Sequence, residues 1–423
     1  MVGFNKKILE NGLRILTIPM TDNPTVTVMV LVEAGSKYET KEINGISHFL
    51  EHMCFKGTEK RPTALMISHE LDGLGSQSNA FTSHEYTGYY AKSDAKHFDT
   101  IFDVISDVYL HSTLPSAEIE KEKGVIIEEI NMYEDMPQER VQELFMKLVY
   151  GDTPAGWSVA GTRETVRSFT REQFVDYRTS HYVPEATTVI VAGNIDEALV
   201  IPKIEKLFGP IASQSRAIKE PVVHTQSAPQ ILLEHRKTDQ AHLVLGFPGY
   251  DTYDPRTPAL RILATVLGRG MSSRLFQKLR EEMGVCYYAT AASETFTDHG
   301  LFTISVGCDT KRTAEVIGVI IEECMRLAKE LVPQAELTKA KEYIAGNMKL
   351  SLESSDDFAM FYGMQEILRK PVLLPEEYEA KIRTVTAEDI LNTAKEIFVQ
   401  EQINMSLVGP YTDSDSFLKL LKL

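Results

Sequence analysis

Residues His48-Phe49-Leu50-Glu51-His52 form an H-x-x-E-H box. On a helix, His48 and His52 stand at i and i+4 and project from one face, about one turn apart. That spacing lets two imidazoles reach one tetrahedral metal ion at Zn–N distances of about 2.0–2.1 Å. Glu51 lies between them on nearly the same face, where a carboxylate can accept a proton from a metal-activated water. Such a water beside a general base is the minimum equipment for hydrolysing a peptide bond. His69, His84, His97, His111 and His224 have no comparable spacing and read as ordinary surface or core histidines.

Two imidazoles do not complete a metal site, so a third ligand has to come from another element. Ser116–Asp135 reads as a helix whose apolar stripe is Val125, Ile126, Ile130 and Tyr133. Most of its acids belong to a solvated face, Glu128 among them. Glu129 differs, because Val125, Ile126, Met132 and Tyr133 lie one turn away and aim its carboxylate at an apolar surface. An unpaired carboxylate there is costly, which points to a metal or cationic partner. Glu122, two turns earlier on the same side, is suited to hydrogen-bonding a ligand imidazole.

The elements around these residues recur. A stretch at 209–229, mixed in Gly, Pro, Ser and Gln without helical periodicity, reads as a linker between domains at 1–208 and 230–423. Each half opens with two strands (Leu13–Pro19 and Thr25–Ala34; Gln230–Glu234 and Ala241–Phe247), then runs helix, β-hairpin region and two further helices. Ala80–Ala91, an alternating strand, matches Glu294–Cys308, and the apolar helix His97–Leu110 matches Thr313–Leu327. Helix starts at Pro115 and Pro333 match, and Gly45–Phe49 matches Gly270–Arg274. The pattern predicts an α+β fold of two similar domains from a duplicated unit, each an antiparallel-rich sheet packed with helices. In that alignment Ser273, Phe276 and Gln277 stand opposite the box, while Ala340 and Asn347 stand opposite Glu122 and Glu129. The second half therefore carries no metal set.

The chain has 423 residues, enough for two domains, with ordinary apolar and charged shares. Its formal net charge of −16 argues against nucleic acid as a partner. Cys54, Cys286, Cys308 and Cys324 show no C-x-x-C spacing and read as buried thiols of a reducing compartment. The N-terminus lacks the apolar stretch of a signal peptide, and no apolar run reaches membrane-spanning length. A cytoplasmic protein without membrane contact is the expectation.

With the box, its continuation His52-Met-Cys-Phe-Lys-Gly-Thr58, and Gly124-Val-Ile-Ile-Glu-Glu129 in place, the sequence resembles the pitrilysin-type (inverzincin) metallopeptidases, over nearly its whole length. The resemblance implies one zinc ion per chain bound by His48, His52 and Glu129, with Glu51 as general base. It implies that Asn79, Ala80 and Phe81 belong to an edge strand to which substrate peptide adds. Arg280 and Tyr287, in Ser272–Tyr287, match the family's arginine and tyrosine, which steady the substrate carbonyl and the oxyanion. Thr153-Pro-Ala-Gly-Trp157 departs from the family's loop. The fold implied is half of a clamshell, so pairing is expected, with a second copy or a homologous chain lacking the box. The function implied is a zinc endopeptidase acting on short or unfolded peptides in a closed chamber. The rivals are a non-catalytic scaffold or partner subunit of the same fold and another metal-dependent hydrolase. An intact His48, Glu51, His52 and Glu129 set disfavours the first, and the Arg280/Tyr287 match the second.

Overall fold

The computed structural model describes residues 2–423, folded as eleven strands and fifteen α-helices with short 3-10 and π segments. In the first half run β1 (Asn5–Ile8), β2 (Arg14–Pro19), β3 (Thr25–Val32), α1 (Ile46–Cys54), α2 (Ala64–Gly73), β4 (Gln77–Thr82), β5 (Thr87–Asp94), α3 (Phe98–His111), α4 (Ser116–Asp135), α5 (Pro137–Tyr150), α6 (Arg163–Ser168), α7 (Arg171–His181), β6 (Thr187–Gly193) and α8 (Glu197–Phe208). In the second half run β7 (Gln230–His235), β8 (Gln240–Gly249), α9 (Thr257–Gly268), β9 (Cys286–Thr295), β10 (Gly300–Asp309), α10 (Thr313–Lys329), α11 (Gln334–Ser351), α12 (Ser355–Ile367), α13 (Pro375–Thr384), α14 (Ala387–Ile397), β11 (Asn404–Gly409) and α15 (Ser414–Leu418). None of the described helices is long and apolar enough to cross a membrane.

The chain forms two compact units, neither of them an uninterrupted half. The first takes residues up to Asn131, Trp157–Glu220 and Leu350–Leu374; the second takes Met132–Gly156, Pro221–Lys349 and Pro375–Leu423. A single division at 209–229 thus leaves out an exchange. Helix α5 is encoded in the first half but lies in the second unit, and α12 does the reverse.

The exchange follows from the sheets. The first unit's sheet has the order β1-β2-β6-β3-β5-β4 and the second β7-β11-β8-β10-β9. Strands β2 to β6 repeat as β7 to β11 in the same order, and in each sheet one pair is parallel (β2/β6 and β7/β11) while the rest are antiparallel. Central strand β3, Thr-Val-Thr-Val-Met-Val-Leu-Val, is buried along nearly its whole length, as a strand covered on both faces must be. Its Val26, Val28, Val30 and Val32 meet α1, α3 and α7, and its Met29 and Leu31 meet Phe358, Ala359 and Tyr362 of α12. In the second unit Leu243, Leu245 and Phe247 of β8 face α9, α10 and α14, whereas Val244 meets Val141, Leu144 and Phe145 of α5. One helix closes the second face of each sheet.

Two expectations need correction. Ala80–Ala91 is not one strand but straddles the tight turn between β4 and β5, and Glu294–Cys308 straddles that between β9 and β10. Partners across each turn share a face (Ala80 with Tyr89, Glu294 with Leu301), so the alternation reverses phase within the few residues of the turn instead of breaking off. The matching of Gly45–Phe49 with Gly270–Arg274 is displaced by one element. By chain order the counterpart of α1 is α9, which packs on β9 as α1 packs on β4. Helix α9 is Thr-Pro-Ala-Leu-Arg-Ile-Leu-Ala-Thr-Val-Leu-Gly, almost wholly buried and without a single metal-ligating side chain.

Candidate metal centre

Helix α1 is amphipathic in an unusual sense. Ile46, Phe49, Leu50, Met53 and Cys54 are buried against the sheet and α7, and the other face carries only His48, Glu51 and His52. Gly45 caps its start at φ +97, and a Cβ there would stand 2.7 Å from the Ala160 carbonyl oxygen. Thus α1 begins where two backbone segments pass closely, and its polar face has one setting.

The two imidazole rings lie with centroids 4.7 Å apart at 70°. Glu129 enters from α4, with Oε2 3.6 Å from His48 Nε2 and 3.7 Å from His52 Nε2. Those separations are too long for hydrogen bonds. They are within a few tenths of the roughly 3.3 Å that separates tetrahedral ligands about 2.05 Å from a shared zinc ion. No two of the three donor atoms are more than 4.8 Å apart, and these residues form the only such group among the described residues. Burial and the neighbouring His52 push His48 down to about 4, leaving it a neutral imidazole able to ligate. The donor set therefore fits a divalent ion of borderline softness.

Glu122 lies one face inward on α4, 4% exposed. Its Oε1 is 2.9 Å from His52 Nδ1 and its Oε2 2.6 Å from Lys56 Nζ. A carboxylate on Nδ1 fixes the tautomer that turns Nε2 toward Glu129. Burial raises the Glu122 carboxyl, but the bonds to His52 and Lys56 outweigh it and hold it below its ordinary range. Glu51 Oε2 accepts a 2.6 Å hydrogen bond from the Thr82 hydroxyl at the end of β4. Burial pushes Glu51 above the usual carboxylate range, against the pull of Thr82 and of His52.

Glu129 arrives by a different route from the one its neighbours suggested. The buried stripe of α4 is Ile119, Glu122, Ile126 and Ile130, while Val125, Met132 and Tyr133 are 51, 49 and 37% exposed. The carboxylate stands at the edge of the buried face, not in an apolar surface. Thr82 and Lys56 were not singled out from sequence, although both lie in segments that were. A strand end meeting a helix, and a lysine meeting an acid 66 positions away, leave no local signature.

Strand β4, with Asn79, Ala80 and Phe81, is the edge of its sheet and pairs only with β5. In the second unit Arg280 sits on a π-helical segment, Phe276–Glu282, and donates from Nη1 to the Cys286 carbonyl at 2.7 Å. Its guanidinium lies 5.9 Å from the Tyr287 ring centroid. Pairing of β9 with β10 passes from Tyr288↔Gly307 to Cys286↔Cys308, so Tyr287 is the unpaired residue of a β-bulge. It is 64% exposed, whereas the adjacent Tyr288 turns inward, its hydroxyl 3.1 Å from His242 Nδ1.

Known proteins resemble this chain along nearly its whole length. A family model described as insulinase (peptidase family M16) matches residues 14–163, and one described as the peptidase M16 inactive domain matches 168–344. The uncharacterized zinc protease YmxG of Bacillus subtilis is 37% identical over 95% of this chain and 97% of its own. An uncharacterized zinc protease of Streptomyces coelicolor is 33% identical over 96% of this chain and 90% of its own. Among solved structures, a protease from Helicobacter pylori aligns with a TM-score of 0.89 at 22% identity, over 97% of this chain and 100% of that one. A structure described as a peptidase M16 inactive domain, from Pseudomonas fluorescens, also reaches 0.89, at 17% identity over 97 and 99% of the two chains. The structural likeness carries the fold, and the sequence likeness along nearly the whole length carries more: the chain belongs to the insulinase family of peptidases, family M16.

Proposed function

We propose that this protein is a zinc-dependent endopeptidase for short or unfolded peptides. The observation that carries the reading is the convergence of His48, His52 and Glu129 at ligand spacing, beside Glu51. When bound there, zinc would lower the pKa of a coordinated water and polarise the scissile carbonyl. Glu51 accepts the water proton and returns it to the leaving amine, and burial, by raising its carboxyl above the usual range, strengthens it as a base. Thr82 holds one oxygen of Glu51 and leaves the other for the proton. Glu122 orients His52 through Nδ1.

The free edge of β4 supports substrate binding by strand addition along Asn79, Ala80 and Phe81, with backbone bonds supplying affinity and little sequence selectivity. Assigning Arg280 and Tyr287 as donors to the substrate carbonyl and oxyanion rests on the family match, supported by the proximity of the guanidinium to the Tyr287 ring and by Tyr287's exposed bulge position. Four buried, unbridged cysteines support a cytoplasmic location. Pairing of two chains, as identical copies or with a chain lacking the box, rests on the family resemblance.

Glu51→Gln is the decisive variant. Wild type should hold one zinc per chain and cleave a quenched peptide library; Glu51→Gln should keep the zinc and lose cleavage by about 10²-fold or more. A wild type without stoichiometric metal, or a Glu51→Gln protein with full activity, would favour the scaffold reading.

A further inference from the structure

The start of α1 is held by a residue that the reaction does not use. Glu39 follows the 3-10 turn Ser36–Tyr38 and is 4% exposed. Its Oε2 accepts the Gly45 amide N–H at 2.8 Å and Asn44 Nδ2 at 3.0 Å, and its Oε1 accepts the Ser47 amide N–H at 2.8 Å. No ion pair to Glu39 occurs among the described residues. Burial raises its carboxyl, and these donors work against that rise. Its charge is met by these amides, by the Ser47 side chain and by the positive end of α1.

This arrangement does more than satisfy free amides. The two oxygens grip α1 at two places, the cap residue Gly45 and Ser47, which immediately precedes His48. A bidentate hold on two amides separated by about half a turn fixes the helix's rotation about its axis as well as its position along it. Ser47 is fixed from the side too, its hydroxyl 2.6 Å from the Tyr177 hydroxyl on α7. Rotation of α1 is what decides whether His48, Glu51 and His52 face Glu129, and an error of about 1 Å at such a site is costly.

We infer that Glu39 is a positioning residue of the metal centre: it sets the rotation of α1 so that the box meets Glu129. The inference rests on the zinc-peptidase reading and has its own test. In Glu39→Gln the shape is kept, but an NH2 group replaces one oxygen and confronts an N–H donor of α1. Three measurements on the full chain are compared with wild type: the apo melt, zinc affinity by competition with a chromogenic chelator, and kcat and KM for a quenched peptide at saturating zinc. Glu39→Gln should weaken zinc binding by about tenfold and lower kcat by a similar factor, leaving KM within about twofold. Asn44→Ala, which removes one of the donors to Glu39, should show the same signature, smaller. A folded Glu39→Gln protein with wild-type zinc affinity and kcat, whatever its melt, overturns the inference. So does a Glu39→Gln protein that fails to fold together with an unaffected Asn44→Ala. Failure of the zinc-peptidase reading shows separately, as a wild type that binds no zinc.

Discussion

At the residue scale a metal held by His48 and His52 would compete with protons, and the two histidines would not share that competition equally. His48 is pushed down to about 4 by burial and by His52. Burial also lowers His52, but the hydrogen bond to Glu122 and the charges of Glu51 and Glu129 outweigh it and leave its pKa raised. On acidification the first proton therefore goes to His52, and His48 stays neutral until near pH 4. Apparent zinc affinity should fall about tenfold per pH unit below the raised pKa of His52, the slope of one competing proton. Glu122→Gln should weaken zinc binding by about 10–100-fold at neutral pH and move the onset of that fall to lower pH. Zinc titrations across pH 5–8 check both, and a two-proton slope near pH 6 or an unmoved onset in Glu122→Gln would refute the assignment. The identities of these groups were legible in the sequence, His48, Glu51 and His52 from spacing alone. The hold of Thr82 on Glu51 and of Lys56 on Glu122 was not, because each joins separate elements.

At the element scale the box is only as good as the placement of α1. Gly45 adopts φ +97, and the carbonyl of Ala160 and the Cα of Gly161 lie 2.7 and 2.8 Å from where a Cβ would be. Gly45→Ala meets a left-handed backbone and two fixed backbone atoms, so neither partner can give way cheaply. It should cost about 1–3 kcal/mol or more, read as a lower midpoint in apo urea unfolding. A midpoint equal to wild type would show that the segment 160–161 shifts freely. Strand and helix spans were mostly legible: Ser116–Asp135 was read in full, and β2, β3, β7 and β8 came within a few residues of their ends. A hairpin region was legible in each half but its turn was not, since the alternation changes phase there within only a few residues. The Tyr287 bulge was also hidden, because a bulge is defined by its partner strand.

At the scale of the whole molecule, each sheet needs a helix on its second face, and the chain supplies it from the other half. Tyr362 of α12 is fully buried against the first unit's sheet, with its hydroxyl on the Val2 carbonyl at 2.6 Å. Tyr362→Ala should cost about 3–5 kcal/mol, measured as loss of apo stability in denaturant. A fragment ending at residue 220 lacks α12 and leaves Leu16, Ile18, Met29, Leu31 and Ile190 uncovered. It should give no cooperative melt, and a cooperative one would mean that α12 is dispensable. The sequence by itself determined the chemistry and the duplication: the H-x-x-E-H spacing, the acids of α4 and the repeated order of elements are local patterns, carried by periodicity and residue type. Only the tertiary structure decided how closely Glu129 approaches the two histidines, which residues hold α1 in rotation, and which unit α5 and α12 join. Those are contacts between segments far apart in the chain, and they are selected by the faces left to bury once the sheets have formed.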